Sequence, residues 1–122
     1  MDVNKILEKL EKEAKQDENV IAMFLYGSYL SEKVFRDIDI ALVLNDGLSN
    51  KEMSNIRVKY LSEVPDIFDI EIFQLLPLHM RTEVLKGRIL FCKDMDRLFD
   101  IAVRAIREGE LFKAKLKLMV AP

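Results

Sequence analysis

The chain reads as an α/β protein, also describable as α+β: a mixed, twisted sheet of three to four strands flanked by helices. Three observations predict this. Val20–Tyr26 is seven apolar residues in a row between polar turns, the pattern of a central strand covered on both faces. A second β-prone run, Asp37–Leu44, follows within a dozen residues, and a third lies at Phe68–Leu75. Around them lie segments with helical periodicity: Val3, Ile6, Leu7, Leu10 and Ala14 at the start, and Leu98, Ile101, Ala102, Ala105 and Ile106 near the end.

Composition sets the outer bounds. At 122 residues the chain suits one domain spanning 1–122 rather than two. Half the residues are apolar and 33% are charged, as in ordinary globular proteins. A net charge of −2 argues against a broad nucleic-acid surface, which runs on clustered Lys and Arg. It remains compatible with a polyphosphate bound together with a metal ion, because the ion supplies positive charge locally. The single cysteine, Cys92, forms no internal disulfide, and no stretch resembles a signal peptide or a membrane span. A reducing cytoplasm is the expected compartment.

Taken in order, residues 2 to 17 form an amphipathic helix and Gln16–Asn19 a polar turn. Gly27 then permits a tight turn into a short helix running to about Val34. Free amides at such a turn, with the Ser28 hydroxyl, make an anion site. The strand from Asp37 to Leu44 opens on two carboxylates, although Asp is depleted in strands. Residues two apart on a strand share a face at about 6.6 Å, so Asp37 and Asp39 lean into one space. Carboxylates so placed repel unless a cation lies between them, and hard oxygen donors suit Mg²⁺.

Asn45-Asp46-Gly47 is a turn, and Ser49 to Glu52 a capping box that starts a helix with Met53, Ile56 and Tyr60 inward, ending before Pro65. The strand Phe68–Leu75 repeats the acidic device, with Asp69 and Glu71 opening a face that continues through Phe73 and Leu75. Beside the first acidic strand it would bring three or four carboxylates to one site. Pro77 opens a helix that closes at Gly87. His79, the only histidine, reads as a surface residue, and Cys92, on a short strand Arg88–Cys92, as a small core residue. Asp94 caps the final helix, which Gly109 interrupts. Beyond it Leu111, Phe112, Leu116, Leu118, Met119 and Val120 alternate with lysines, as a basic strand or an irregular helix. So much apolar area in residues 110–122 predicts a docking tail, folding back, pairing with a second copy or meeting a partner.

Gly27-Ser28, a short helical connection, and Asp37-x-Asp39 at the head of a strand resemble the signature of the DNA polymerase β-like nucleotidyltransferases. The small size points to the minimal nucleotidyltransferases (MNT), the antitoxin type paired with helical HEPN proteins. The resemblance covers roughly residues 20 to 110. Eight residues separate Ser28 from Asp37, a connection shorter than the family's usual one, with no second glycine and with Arg36 where the family carries Ser. The resemblance implies transfer of NMP, chiefly AMP from ATP, to a hydroxyl, plausibly on a partner protein. It implies two Mg²⁺ ions bridged by Asp37 and Asp39, and a third catalytic carboxylate that binds one of these ions beside the acceptor, which the family's spacing to Pro77 assigns to Asp69, with Glu71 as the fallback. Gly27 and Ser28 would hold the β and γ phosphates, with Arg36 beside them. Partners implied are an NTP and a HEPN-type protein, with a homodimer as a further form, and neither membrane nor nucleic acid. A contact-only antitoxin module and an ATP-sensing subunit are the alternative classes.

Overall fold

A computed structural model of the chain describes residues 1–31 and 37–120; for Ser31, Phe112, Lys113, Leu116, Met119 and Val120 it describes the backbone alone. Arg36, expected at the nucleotide, and the expected helical run beyond Ser31 to about Val34 therefore lie outside the described residues, as do the side chains of Phe112, Leu116, Met119 and Val120.

The elements run α1 (Val3–Gln16), β1 (Val20–Tyr26), α2 (Ser28–Ser31), β2 (Ile38–Leu44), α3 (Asn50–Leu61), β3 (Phe68–Ile72), a 3₁₀ turn (Phe73–Leu75), α4 (Leu78–Leu85), β4 (Arg88–Cys92) and α5 (Met95–Val120). The strands form one mixed sheet in the order β3-β2-β1-β4. The central β1 is antiparallel to β2 and β4, while β2 and β3 are parallel.

Side chains alternate across a strand, so the buried residues of β1 and β2 divide between two cores. On one face Met23, Leu25, Ile40 and Leu42 pack with Leu7 and Leu10 of α1 and with Met53 and Tyr60 of α3. On the other, Phe24, Tyr26, Ala41 and Val43 pack with Val84 of α4 and with Leu98, Ile101 and Ala105 of α5. This double coverage is why both strands read as nearly continuous apolar runs. Truncating a residue such as Phe24 to Ala should cost about 3–5 kcal/mol, the usual range for a buried aromatic.

Local chemistry sets the helix starts. The capping box at α3 is formed: the Glu52 amide donates to Ser49 Oγ at 3.0 Å, and the Ser49 amide to Glu52 Oε1 at 3.1 Å. At α5 the Arg97 amide donates to Asp94 Oδ1 at 3.1 Å.

Four expectations change. β2 begins at Ile38, so Asp37 stands just ahead of the ladder, exposed. β3 ends at Ile72, because the chain turns up to let the Gln74 side chain close the end of β2: Leu44 N donates to its Oε1 at 3.2 Å and its Nε2 donates to Leu44 O at 2.6 Å. Phe73 is still buried on the expected face, while Leu75 is exposed. Gly87 is not a left-handed cap; a Cβ there would strike the Leu25 carbonyl, so close approach of α4 to β1 selects it. Gly109 does not interrupt α5, which is continuous to Val120; it lies where a Cβ would run into the Leu78 side chain of α4. The same continuity makes the terminal lysine-rich segment helical. Among the described residues, no helix is long and apolar enough to cross a membrane.

Candidate active site

Because β1 runs against β2, its last residue meets the first turn of β2. Tyr26 pairs with Asp39, and Asp39 in turn with Asp69 across the parallel ladder. Tyr26, Asp39 and Asp69 thus form one row over three adjacent strands, each about 4.8 Å from the next. Glu71 lies one step along the same face of β3, opposite Ala41. Asp37 projects ahead of the strand, close enough for its charge to act on Asp39.

The turn after β1 closes over this row. Gly27 has φ +79°, a left-handed conformation, and a Cβ there would collide with Asp39 Oδ2. Glycine therefore serves twice, giving the chain its turn and leaving room for the Asp39 carboxylate. Ser28 follows, half-buried, as the first residue of α2, and the Leu30 amide donates to the Gly27 carbonyl at 3.2 Å.

Burial is the dominant stress, and crowded negative charge adds to it. Burial pushes the Asp39 carboxyl up from 3.8 to about 6, and the nearby charges of Asp69, Asp37 and Glu71 push the same way. Burial also raises Glu71, with Asp69 adding to the effect and Arg57 opposing it. The Tyr26 phenol is driven upward by its burial and then by Asp39, Asp69 and Glu71, so it stays neutral at physiological pH.

Of the residues expected from the sequence, Gly27, Asp37, Asp39, Asp69 and Glu71 come together at this end of the sheet, and Ser28 borders them. His79 is exposed on α4, and Cys92 is half-buried against the α4–α5 core. Two participants were not anticipated. Tyr26 hid inside an apolar run, though its place just before Gly27 marks it. Arg57 of α3 reaches Glu71 Oε1 at 2.9 Å and Asp69 Oδ1 at 3.5 Å. Its signal was positional: an arginine on the stripe that carries Met53 and Tyr60.

Among the described residues, no three His, Cys, Asp or Glu side chains make a ready-built metal cage. The donor set nonetheless fits Mg²⁺, which characteristically takes one or two carboxylates and completes its shell with water and substrate phosphates. Asp39, destabilised as an anion by burial and then by its acidic neighbours, is a group that a cation would relieve.

A sheet of this topology with a glycine turn over an acidic strand head defines a nucleotidyltransferase-type site. Residues 8–96 match the family "Polymerase beta, Nucleotidyltransferase", and the chain belongs to that family, as its sequence motifs implied. A Methanocaldococcus jannaschii protein bearing the name putative protein adenylyltransferase is 26% identical over 113 residues, covering 83% of this chain and 87% of its own. A chain in the crystal structure of a toxin–antitoxin with AMP-PNP superposes with a TM-score of 0.67 at 21% identity, covering 97% of this chain and 95% of that one. A chain in the structure of the tri-AMPylated Shewanella oneidensis HEPN toxin with its MNT antitoxin gives 0.63 at 23% identity, covering 96% and 91%. These likenesses establish that the polymerase β-like nucleotidyltransferase fold extends over nearly the whole chain.

Proposed function

We propose that this nucleotidyltransferase moves AMP from ATP to a hydroxyl of a HEPN-type partner protein, as the antitoxin side of a toxin–antitoxin pair. The observation that carries the reading is the row Tyr26–Asp39–Asp69 beneath the Gly27 turn. It is supported by the names of the similar proteins, an adenylyltransferase and an antitoxin seen with AMP-PNP and with an AMPylated toxin.

In this reading Asp37, Asp39 and Asp69 would hold Mg²⁺, with Asp69 on the acceptor side. When bound, the metal supplies Lewis-acid stabilisation of the triphosphate and of the oxygens entering and leaving phosphorus. Gly27 and Ser28 hold the β and γ phosphates, the turn admitting them because no Cβ intrudes. Arg36 is assigned to the same phosphates. Asp69 accepts the acceptor's hydroxyl proton as its oxygen bonds to the α-phosphorus and the bond to the β-phosphate oxygen breaks, releasing pyrophosphate. Tyr26, neutral and buried, walls the carboxylates from the core.

Residues 110–122 and the outer side of α5 take the docking role. Phe99 (68%), Leu111 (66%) and Leu118 (81%) are exposed on this one helix, a large apolar area to leave in water. A cytoplasmic setting accords with such a pair.

Labelled ATP tests the reaction. With Mg²⁺ and a HEPN-type partner protein, label at the α-phosphate should pass to that protein, and label at the γ-phosphate should appear in pyrophosphate. Transfer of γ label would make the chain a kinase, and absence of any transfer with intact binding would favour the contact-only antitoxin.

A further inference from the structure

Arg57 does something the reaction scheme above does not use. It belongs to α3, which packs on the face of the sheet opposite the carboxylates, with Met53 and Tyr60 in the core beneath it. Its side chain crosses the free edge of β3. There Nε donates to the Ile70 carbonyl at 2.8 Å, a group that faces away from β2 and would otherwise lie at an unprotected sheet edge. With Nε fixed, the planar guanidinium has little freedom, and Nη2 is delivered to Glu71 Oε1 at 2.9 Å and Asp69 Oδ1 at 3.5 Å. The short contact is to Glu71 and the long one to Asp69. A single cation, tied to the backbone of the edge strand, therefore grips one carboxylate and only leans on the other.

We propose that Arg57 is a positioning residue of this site: it holds Glu71 back against the edge of β3, leaves Asp69 turned to the reaction, and supplies a resident positive charge that helps the acidic row persist before metal and nucleotide arrive. The inference rests on the nucleotidyl-transfer reading of the same site. It gives the two acids of β3 different jobs, Asp69 toward substrate and Glu71 as the anchor of Arg57. It also makes Arg57 a competitor of the metal ion. The guanidinium lowers the negative charge a Mg²⁺ ion would meet, so the site binds metal less tightly than its carboxylates alone would.

That competition separates a positioning role from a merely structural one, because the two predict opposite signs. Removing a structural arginine loosens the site and weakens metal binding. Removing this one should strengthen it. Arg57→Gln, titrated with Mg²⁺ alone and followed by thermal melting, should reach half-saturation at about threefold to tenfold lower Mg²⁺ than wild type, as expected for losing one partly screened charge contact. In the transfer assay kcat should fall while the Mg²⁺ requirement drops, and Arg57→Lys, which keeps the charge without the fork, should restore the wild-type Mg²⁺ requirement but only part of kcat. A second measurement works without metal or turnover. In EDTA, Arg57→Gln should destabilise the wild-type chain more than it destabilises the Asp69→Asn, Glu71→Gln variant, which lacks the acids Arg57 offsets. Mg²⁺ binding that is unchanged or weaker in Arg57→Gln, or strict additivity in EDTA, overturns the proposal. Failure of the wild type to transfer a nucleotide, with these two results intact, instead overturns the catalytic reading and leaves Arg57 in its place.

Discussion

Replacing Gly27 by Ala should be among the most damaging single-methyl changes available in this chain, for two separable reasons. The first is the backbone: φ +79° is left-handed, and an L-residue there costs about 1–2 kcal/mol. The second is the collision of the new Cβ with Asp39 Oδ2, which must displace the carboxylate from the row. If relieving that collision adds about 1 kcal/mol, the sum is roughly 2–3 kcal/mol, or a fall in Tm of about 6–15 °C for a chain of this length. Urea denaturation in a double-mutant cycle with Asp39→Ala isolates the second part. In the Asp39→Ala background only the backbone cost remains, so Gly27→Ala should be milder by about 1 kcal/mol. Nucleotide binding should weaken beyond what stability explains, because the turn and the carboxylate move together. If Gly27→Ala costs the same in both backgrounds, the close approach of Gly27 and Asp39 is not part of the native site.

Three further outcomes follow from the same geometry. The Asp39 carboxyl is raised from 3.8 to about 6, so its protonated form stabilises the fold fully below pH 3.8 and that contribution is lost as pH rises through about 6. Denaturation in EDTA should therefore show wild type losing stability relative to Asp39→Asn between pH 4 and 7, and parallel curves would refute the burial and crowding assigned to it. With Mg²⁺ present the order should reverse near neutral pH, because a cation that binds only the folded state stabilises it. Gly109→Ala, which in an open helix would gain about 1 kcal/mol, should instead cost about 1 kcal/mol through contact with Leu78, and a measured gain would show that α4 and α5 have slack there. Leu111→Glu with Leu118→Glu should leave the unfolding stability of the isolated chain within about 0.5 kcal/mol of wild type, since both side chains are exposed, yet weaken its association with the proposed HEPN-type partner by light scattering. Equal complex formation would move the docking surface elsewhere.

Most of the fold was legible because its signals are local and agree with one another. Val20–Tyr26 and the strand ending at Leu44 are apolar on both faces since the sheet is covered twice, and Ser49 with Glu52 and Asp94 mark their helices through short-range hydrogen bonds. The departures came where a distant residue overrode the local pattern. Alternation carried the third strand on to Leu75, but the Gln74 amide has its partner thirty residues away on Leu44. Gly109 looked like a helix break because its reason, Leu78, lies on another helix. In the candidate site, Asp37, Asp39, Asp69 and Glu71 were visible because like charges at the head of an apolar strand are anomalous, and Gly27 because an apolar strand must turn there. Tyr26 and Arg57 were not, since one resembles its apolar neighbours and the other acts across a strand edge that only the assembled sheet creates.

The decisive property of this chain is whether the row at the head of β2 transfers a nucleotide. Intact-mass spectrometry of the proposed HEPN-type partner after incubation with ATP, Mg²⁺ and this chain measures that directly. The wild type should add adenylate to the partner, Asp39→Asn should add none while folding normally, Asp69→Asn should add none while still binding ATP, and Glu71→Gln should retain part of the activity. Adenylate addition by Asp39→Asn at the wild-type rate would contradict the assignment of the site.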